Sequence, residues 1–175
     1  RFDDEAFRAE VRERLIAARD GRVYVSEGEK KKAKLALSQG LYHARRKTWP
    51  DAIAAFEESV ALDPTEWEAG FQLLLARWRS GDLPAAQAAE ALAEVSPTTL
   101  KGRAEVRFQV GEARLAAGDE AGAYKSFEEA VSAVPDHTGA ARRLRLRALR
   151  QEKAAESGQK AGIRGLFKWG RKGDG

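Results

Sequence analysis

Three segments of this chain repeat one pattern at nearly constant spacing, and this limits the fold more than any single residue does. GLYHARRKTWPDAIAAFEESVALDP runs from Gly40 to Pro64, LLARWRSGDLPAAQAAEALAEVSP from Leu74 to Pro97, and GEARLAAGDEAGAYKSFEEAVSAVP from Gly111 to Pro135. The aligned alanines Ala52, Ala86 and Ala123 fall 34 and then 37 residues apart, and the closing prolines follow at 33 and 38. Self-similarity at a period of about 34 residues is what stacked helix pairs produce, each pair burying its apolar face on the next.

The residues inside each unit suit helix pairing. Gly40 and Ala52 are small enough to let two backbones approach, and Phe56 fills the space between them. Gly111, Ala123, Phe127 and Ala130 repeat the arrangement in the third unit. Gly81-Asp82 and Gly118-Asp119 read as turns, with glycine ending one helix and aspartate capping the next. Proline stops each second helix because it has no N–H and crowds the preceding turn.

At these residues the sequence resembles the tetratricopeptide repeat family over residues 33–137. Gly40, Ala52, Phe56 and Pro64 carry the likeness in the first unit, and Gly111, Ala123, Phe127, Ala130 and Pro135 in the third. The second departs, with Leu74 in place of the small residue and Glu90 where the others have phenylalanine. The extra residues TTLKGRAE before the third unit predict a longer first helix or a wider loop. The resemblance implies an all-α fold, a right-handed superhelical solenoid of helix-turn-helix repeats closed by flanking capping helices.

The flanks give the domain plan. Phe7, Val11, Leu15 and Ile16 have helical spacing, so residues 1–25 read as an amphipathic capping helix and a link. Ser26 with Glu29 has capping-box spacing for a helix running to about Arg46. Ala141, Leu144 and Ala148 predict a closing helix over 138–154, which ends a repeat domain spanning 26–154. Residues 155–175 form a basic, glycine- and aromatic-containing tail expected to be disordered. The chain starts at Arg1 without a methionine anywhere, so it reads as a piece of a longer protein, of the kind in which bacterial repeat arrays follow another module. No His-Pro-Asp tripeptide is present to mark a J domain. A cytoplasmic location is the expectation.

Chemistry is sparse. Without cysteine there are no disulfides, thiolate metal ligands or cysteine nucleophiles. The two histidines, His43 and His137, fall on separate units and read as a helix-surface residue and a loop residue, so no metal motif forms. Neither a P-loop nor Gly-x-Gly-x-x-Gly occurs, and the pairs Glu57-Glu58 and Glu128-Glu129 point in different directions on a helix. The expectation is a binding protein with no catalytic residues, cofactor or metal.

In the family the first helices of successive units line a concave groove. The matching positions are Lys34, Leu37, Leu41, Ala44 and Arg45, then Glu68, Phe71, Leu75, Trp78 and Arg79, then Glu105, Phe108, Glu112 and Leu115. The resemblance thus implies a floor of Leu37, Leu41, Phe71, Leu75, Trp78 and Phe108 edged by Arg45 and Arg79, open to an amphipathic helix or apolar peptide with acidic groups. Helix-spaced aromatics serve equally as inter-repeat core, and spacing does not separate the two. One subclass of the family grips chaperone-tail carboxylates with a lysine/asparagine clamp. Leu37, Leu41, Gln72, Glu105 and Gln109 occupy those positions here, which speaks against that use.

Charge suggests a second surface. Residues 138–175 carry a net +8 and residues 1–137 a net −4. In GIRGLFKWGRK, Arg164, Lys168, Arg171 and Lys172 alternate with Phe167 and Trp169, a pattern suited to an anionic surface. The alternative reading is a repeat module tethered there, to a membrane rather than to nucleic acid, against the plainer reading of a linker.

Overall fold

The computed structural model describes the backbone of residues 25–169 and the side chains of residues 25–157. The capping helix expected from Phe7, Val11, Leu15 and Ile16 lies outside them. Seven helices follow one another among the described residues: α1 Glu27–Arg45, α2 Trp49–Leu62, α3 Trp67–Ser80, α4 Ala85–Ala93, α5 Leu100–Ala116, α6 Glu120–Ala133 and α7 Thr138–Trp169. None is long and apolar enough to cross a membrane.

Neighbours in sequence are neighbours in space, which is what short connections impose. The core is accordingly divided into three clusters, each made by one helix pair and the first helix of the next. Leu37, Ala52, Phe56, Val60, Ala69 and Leu73 join α1, α2 and α3. Phe71, Leu75, Ala88, Leu92, Val106 and Val110 join α3, α4 and α5. Ala104, Ala123, Tyr124, Phe127, Ala130 and Ala140 join α5, α6 and α7. Such an array is an all-α repeat solenoid, held by nearest-neighbour interfaces instead of one central core.

Local chemistry sets the helix ends. Ser26 and Glu29 form the expected capping box, with Glu29 N–H donating to Ser26 Oγ at 3.2 Å and Ser26 N–H donating to the Glu29 carboxylate at 2.8 Å. Asp119 caps α6 by accepting from Gly122 N–H at 2.9 Å. Thr99 caps α5, which has the longer first helix expected from the extra residues. Gly102 in its first turn sits against Pro97 and the Trp67 ring, where a Cβ would not fit without a shift.

Gly81 and Gly118 adopt the left-handed conformation at the ends of α3 and α5 (φ 91° and 86°). The first unit has no glycine there. Lys47 takes that conformation instead, at φ 60°, at a steric cost of about 1–2 kcal/mol.

The second unit differs from its sequence alignment. In the first and third units the left-handed residue is followed at once by the N-cap of the next helix, Thr48 or Asp119. After Gly81 the chain goes on through Asp82 and Leu83 before Pro84 takes the N-cap. Asp82 does not cap α4; its carboxylate accepts from Ser80 Oγ at 2.8 Å. The two added residues turn α4, so Ala88 and Leu92, both fully buried, fill the places of Ala52 and Phe56. Ala86 and Glu90, which the alignment put there, are exposed. Leu74, at the place of Gly40 and Gly111, then packs against the cluster containing Leu92.

The closing helix is also longer than expected. α7 runs to Trp169, with no proline and with helix-forming Gln, Glu, Lys and Ala over 151–161, so the boundary at 154 is not a helix end. Its buried face is Ala140 with half-buried Leu144, while Ala141 and Ala148 are exposed. The start of the helix at His137 fixes this phase: Ala140 N–H donates to His137 Nδ1 at 3.2 Å.

Candidate functional site

The surface along α1, α3 and α5 has a different composition from the floor predicted by the groove positions. Leu37, Phe71 and Leu75 are 8%, 2% and 4% exposed and belong to the core clusters, sealed by the following unit. Leu41, Trp78 and Phe108 are half-buried, each packed at the border of a cluster with part of its surface free. Lys34, Arg45 and Arg79 are exposed, and Glu68, Glu105, Glu112 and Leu115 are half-buried.

Polar side chains tie these helices across the same surface. Arg79 reaches the Gln109 side-chain carbonyl at 3.5 Å, and Gln109 Nε2 donates to Glu105 at 2.8 Å. The other Glu105 oxygen lies 3.3 Å from His137 Nε2. Because His137 Nδ1 accepts from the α7 backbone, Nε2 is the nitrogen that carries the proton and donates to Glu105. His137 is therefore an N-cap and a bridge between α5 and α7, not a loop residue. The cue in the sequence was its place just before a helix start, where a side-chain acceptor is favoured.

Beside this chain of bonds lies a concavity of about 490 Å³ lined by Lys101, Glu105, Phe108, Val134, His137 and Gly139. The Phe108 and His137 rings stand 5.2 Å apart at 48° and form its aromatic side. Gly139 lies against Phe108, and a Cβ there would press into the ring. The lining is mixed, with Phe108 and Val134 beside Lys101 and the carboxylates of Glu105 and Asp136.

His43 is bonded within its own turn, Nδ1 lying 3.1 Å from Thr48 Oγ1. Among the described residues no group of three or more His, Asp or Glu side chains gathers as a metal site. Of the tail residues, Arg164, Phe167, Lys168 and Trp169 fall on the last turns of α7, and Arg171 and Lys172 lie outside the described residues.

No protein-family model and no curated protein sequence matches this chain. Solved structures do match it in shape. The first tetratricopeptide repeat domain of Spaghetti (RPAP3), bound to the HSP90 peptide SRMEEVD, aligns with 74% of this chain and 98% of its own at a TM-score of 0.60 and 17% identity. PcrH in complex with the chaperone-binding region of PopB aligns with 67% of this chain and 94% of its own, at 0.55 and 21%. MamA aligns with 92% of this chain and 96% of its own, at 0.55 and 20%. Paired helices, glycine–phenylalanine contacts and these neighbours agree: the chain folds as a tetratricopeptide-repeat-like solenoid.

Proposed function

We propose that the protein is an interaction adaptor whose concave surface holds a peptide or amphipathic helix of another protein. The observation that carries this reading is that Leu41, Trp78 and Phe108 are each partly exposed on three successive first helices, with exposed Arg45 and Arg79 on the first two of them. Apolar side chains and cations on the same helices accept a ligand that pairs apolar anchors with acidic groups. Two of the structural neighbours were solved with segments of other proteins bound, which supports a ligand of this kind. The buried Leu37, Phe71 and Leu75 act behind the surface, by holding the first helices in place.

A photo-crosslinking amino acid at Trp78, compared with one at exposed Glu58 on α2, tests the reading in lysate of the source organism. Recovery of one discrete adduct from position 78 and none from 58 is the expected result. Adducts from 58 alone would move the binding surface to the second helices.

A further inference from the structure

Counted from the closing proline of the preceding unit, α7 is the first helix of a fourth repeat. Five residues after Pro64 and Pro135 stand Ala69 and Ala140, both fully buried. Eleven after are Leu75 and Leu146, fourteen after are Trp78 and Leu149, and fifteen after are Arg79 and Arg150. In α3, Leu75 is buried against α4 and α5, and Trp78 packs beside it. In α7 the chain continues as helix to Trp169 where a second helix would begin, and Leu146 and Leu149 stay 39% and 50% exposed. Among the described residues the inter-repeat face of α7 is therefore unfilled.

Charge on that face is mainly basic, with exposed Glu152 and Glu156 of α7 along its Leu149 edge. Arg143 and Arg147 turn to the body: Arg143 grips the Glu112 carboxylate with two hydrogen bonds at 2.5–2.6 Å, and Arg147 stacks on Tyr124 near Glu128. Arg142, Arg145 and Arg150 are exposed and have no acidic partner among the described residues, and at helical spacing they border Leu146 and Leu149 together with Lys153. Next to Leu146 and Arg150 opens a cavity of about 290 Å³, walled by Leu115, Tyr124, Arg143 and Glu120.

We propose that this face docks an acidic amphipathic helix of a partner protein, which takes the place of the missing next helix. Its leucine-like face would cover Leu146 and Leu149, as α5 covers Leu75, and its carboxylates would meet Arg142, Arg145 and Arg150. A second copy of this chain is a poor fit. Among the described residues, α1 at the other side of the array exposes Leu35 and Tyr42 with Lys31, Lys32 and Arg46 around them, so head-to-tail stacking on that face would set cations against cations. Leu149 and Arg150 hold on α7 the register places that Trp78 and Arg79 hold on α3, so variants on the two helices are needed to tell this surface from the concave row.

The probe is a synthetic helix with leucines along one side and glutamates flanking them, compared with the same helix carrying lysines, in fluorescence anisotropy with the full chain. The glutamate helix should bind and the lysine helix should not. Leu146→Ser with Leu149→Ser, or Arg142→Ser with Arg150→Ser, should each weaken binding by about tenfold or more, as loss of central anchors does. All four residues are exposed, so helical content by circular dichroism should stay unchanged. Trp78→Ala should leave this binding intact, which separates it from the concave row. The proposal is overturned if the loss follows Trp78→Ala instead. It is also overturned if neither helix binds while phosphatidylserine vesicles do, or if sedimentation shows a dimer that Leu146→Ser with Leu149→Ser abolishes.

Discussion

Gly111 lies directly under the ring of Phe127, so closely that a Cβ on the glycine would overlap the ring, and Gly40 lies under Phe56 in the same way. Both rings are fully buried, each worth about 1.5–3 kcal/mol in apolar burial. The glycine is what brings the two helices of a unit to their working distance.

Gly111→Ala and Gly40→Ala should therefore destabilise the protein by about 1–3 kcal/mol through overpacking. Gly70→Ala provides the contrast, because a Cβ there meets nothing within 4 Å and alanine favours the helix by up to about 1 kcal/mol. Urea midpoints rank the three variants. Equal losses at all three positions would mean that helix spacing is not set by these rings.

The register of α4 makes a second comparison possible. Ala88→Leu should cost about 1–3 kcal/mol, since Ala88 is fully buried between helices. Exposed Ala86→Leu should stay within about 0.5 kcal/mol of the parent. The reverse order in chemical denaturation would restore the simpler alignment of the three units.

Lys47 offers a stabilising change. Its left-handed backbone is a conformation glycine adopts freely, and Gly81 and Gly118 already stand there in the other units. Lys47→Gly should raise stability by up to about 1 kcal/mol, the strain relieved being partly offset by the greater freedom of glycine in the unfolded chain. A lower thermal midpoint for this variant would show that the turn is not strained.

The capping box predicts a pH dependence. Hydrogen bonds from the Ser26 hydroxyl and backbone hold the Glu29 carboxyl below its ordinary range. A carboxyl lowered on folding stabilises the protein above its unfolded pKa, and that contribution is lost as pH falls through the folded value. Parent and Glu29→Gln should thus differ at neutral pH and converge on acidification. A gap that persists in acid, measured by urea titration across pH, would mean that the charge of Glu29 is irrelevant to the cap.

Much of this molecule is written locally. The Ser26–Glu29 box and the Asp119 cap join residues three positions apart, and the Gly40–Phe56 and Gly111–Phe127 pairs join residues sixteen apart across one helix hairpin, so spacing alone reveals them. What the sequence could not determine is which apolar residue of a helix meets solvent. Leu37, Leu41, Phe71, Leu75 and Trp78 share one periodicity. Leu37, Phe71 and Leu75 become core only because another helix lies on them, and Leu146 stays exposed at the place of Leu75 because none does. The phase of α4 was hidden for a related reason: two residues added at Gly81–Pro84 rotate the following helix by more than half a turn, which puts Ala88 inside and Ala86 outside. Local chemistry chose the helices, and the neighbour in space chose their buried face.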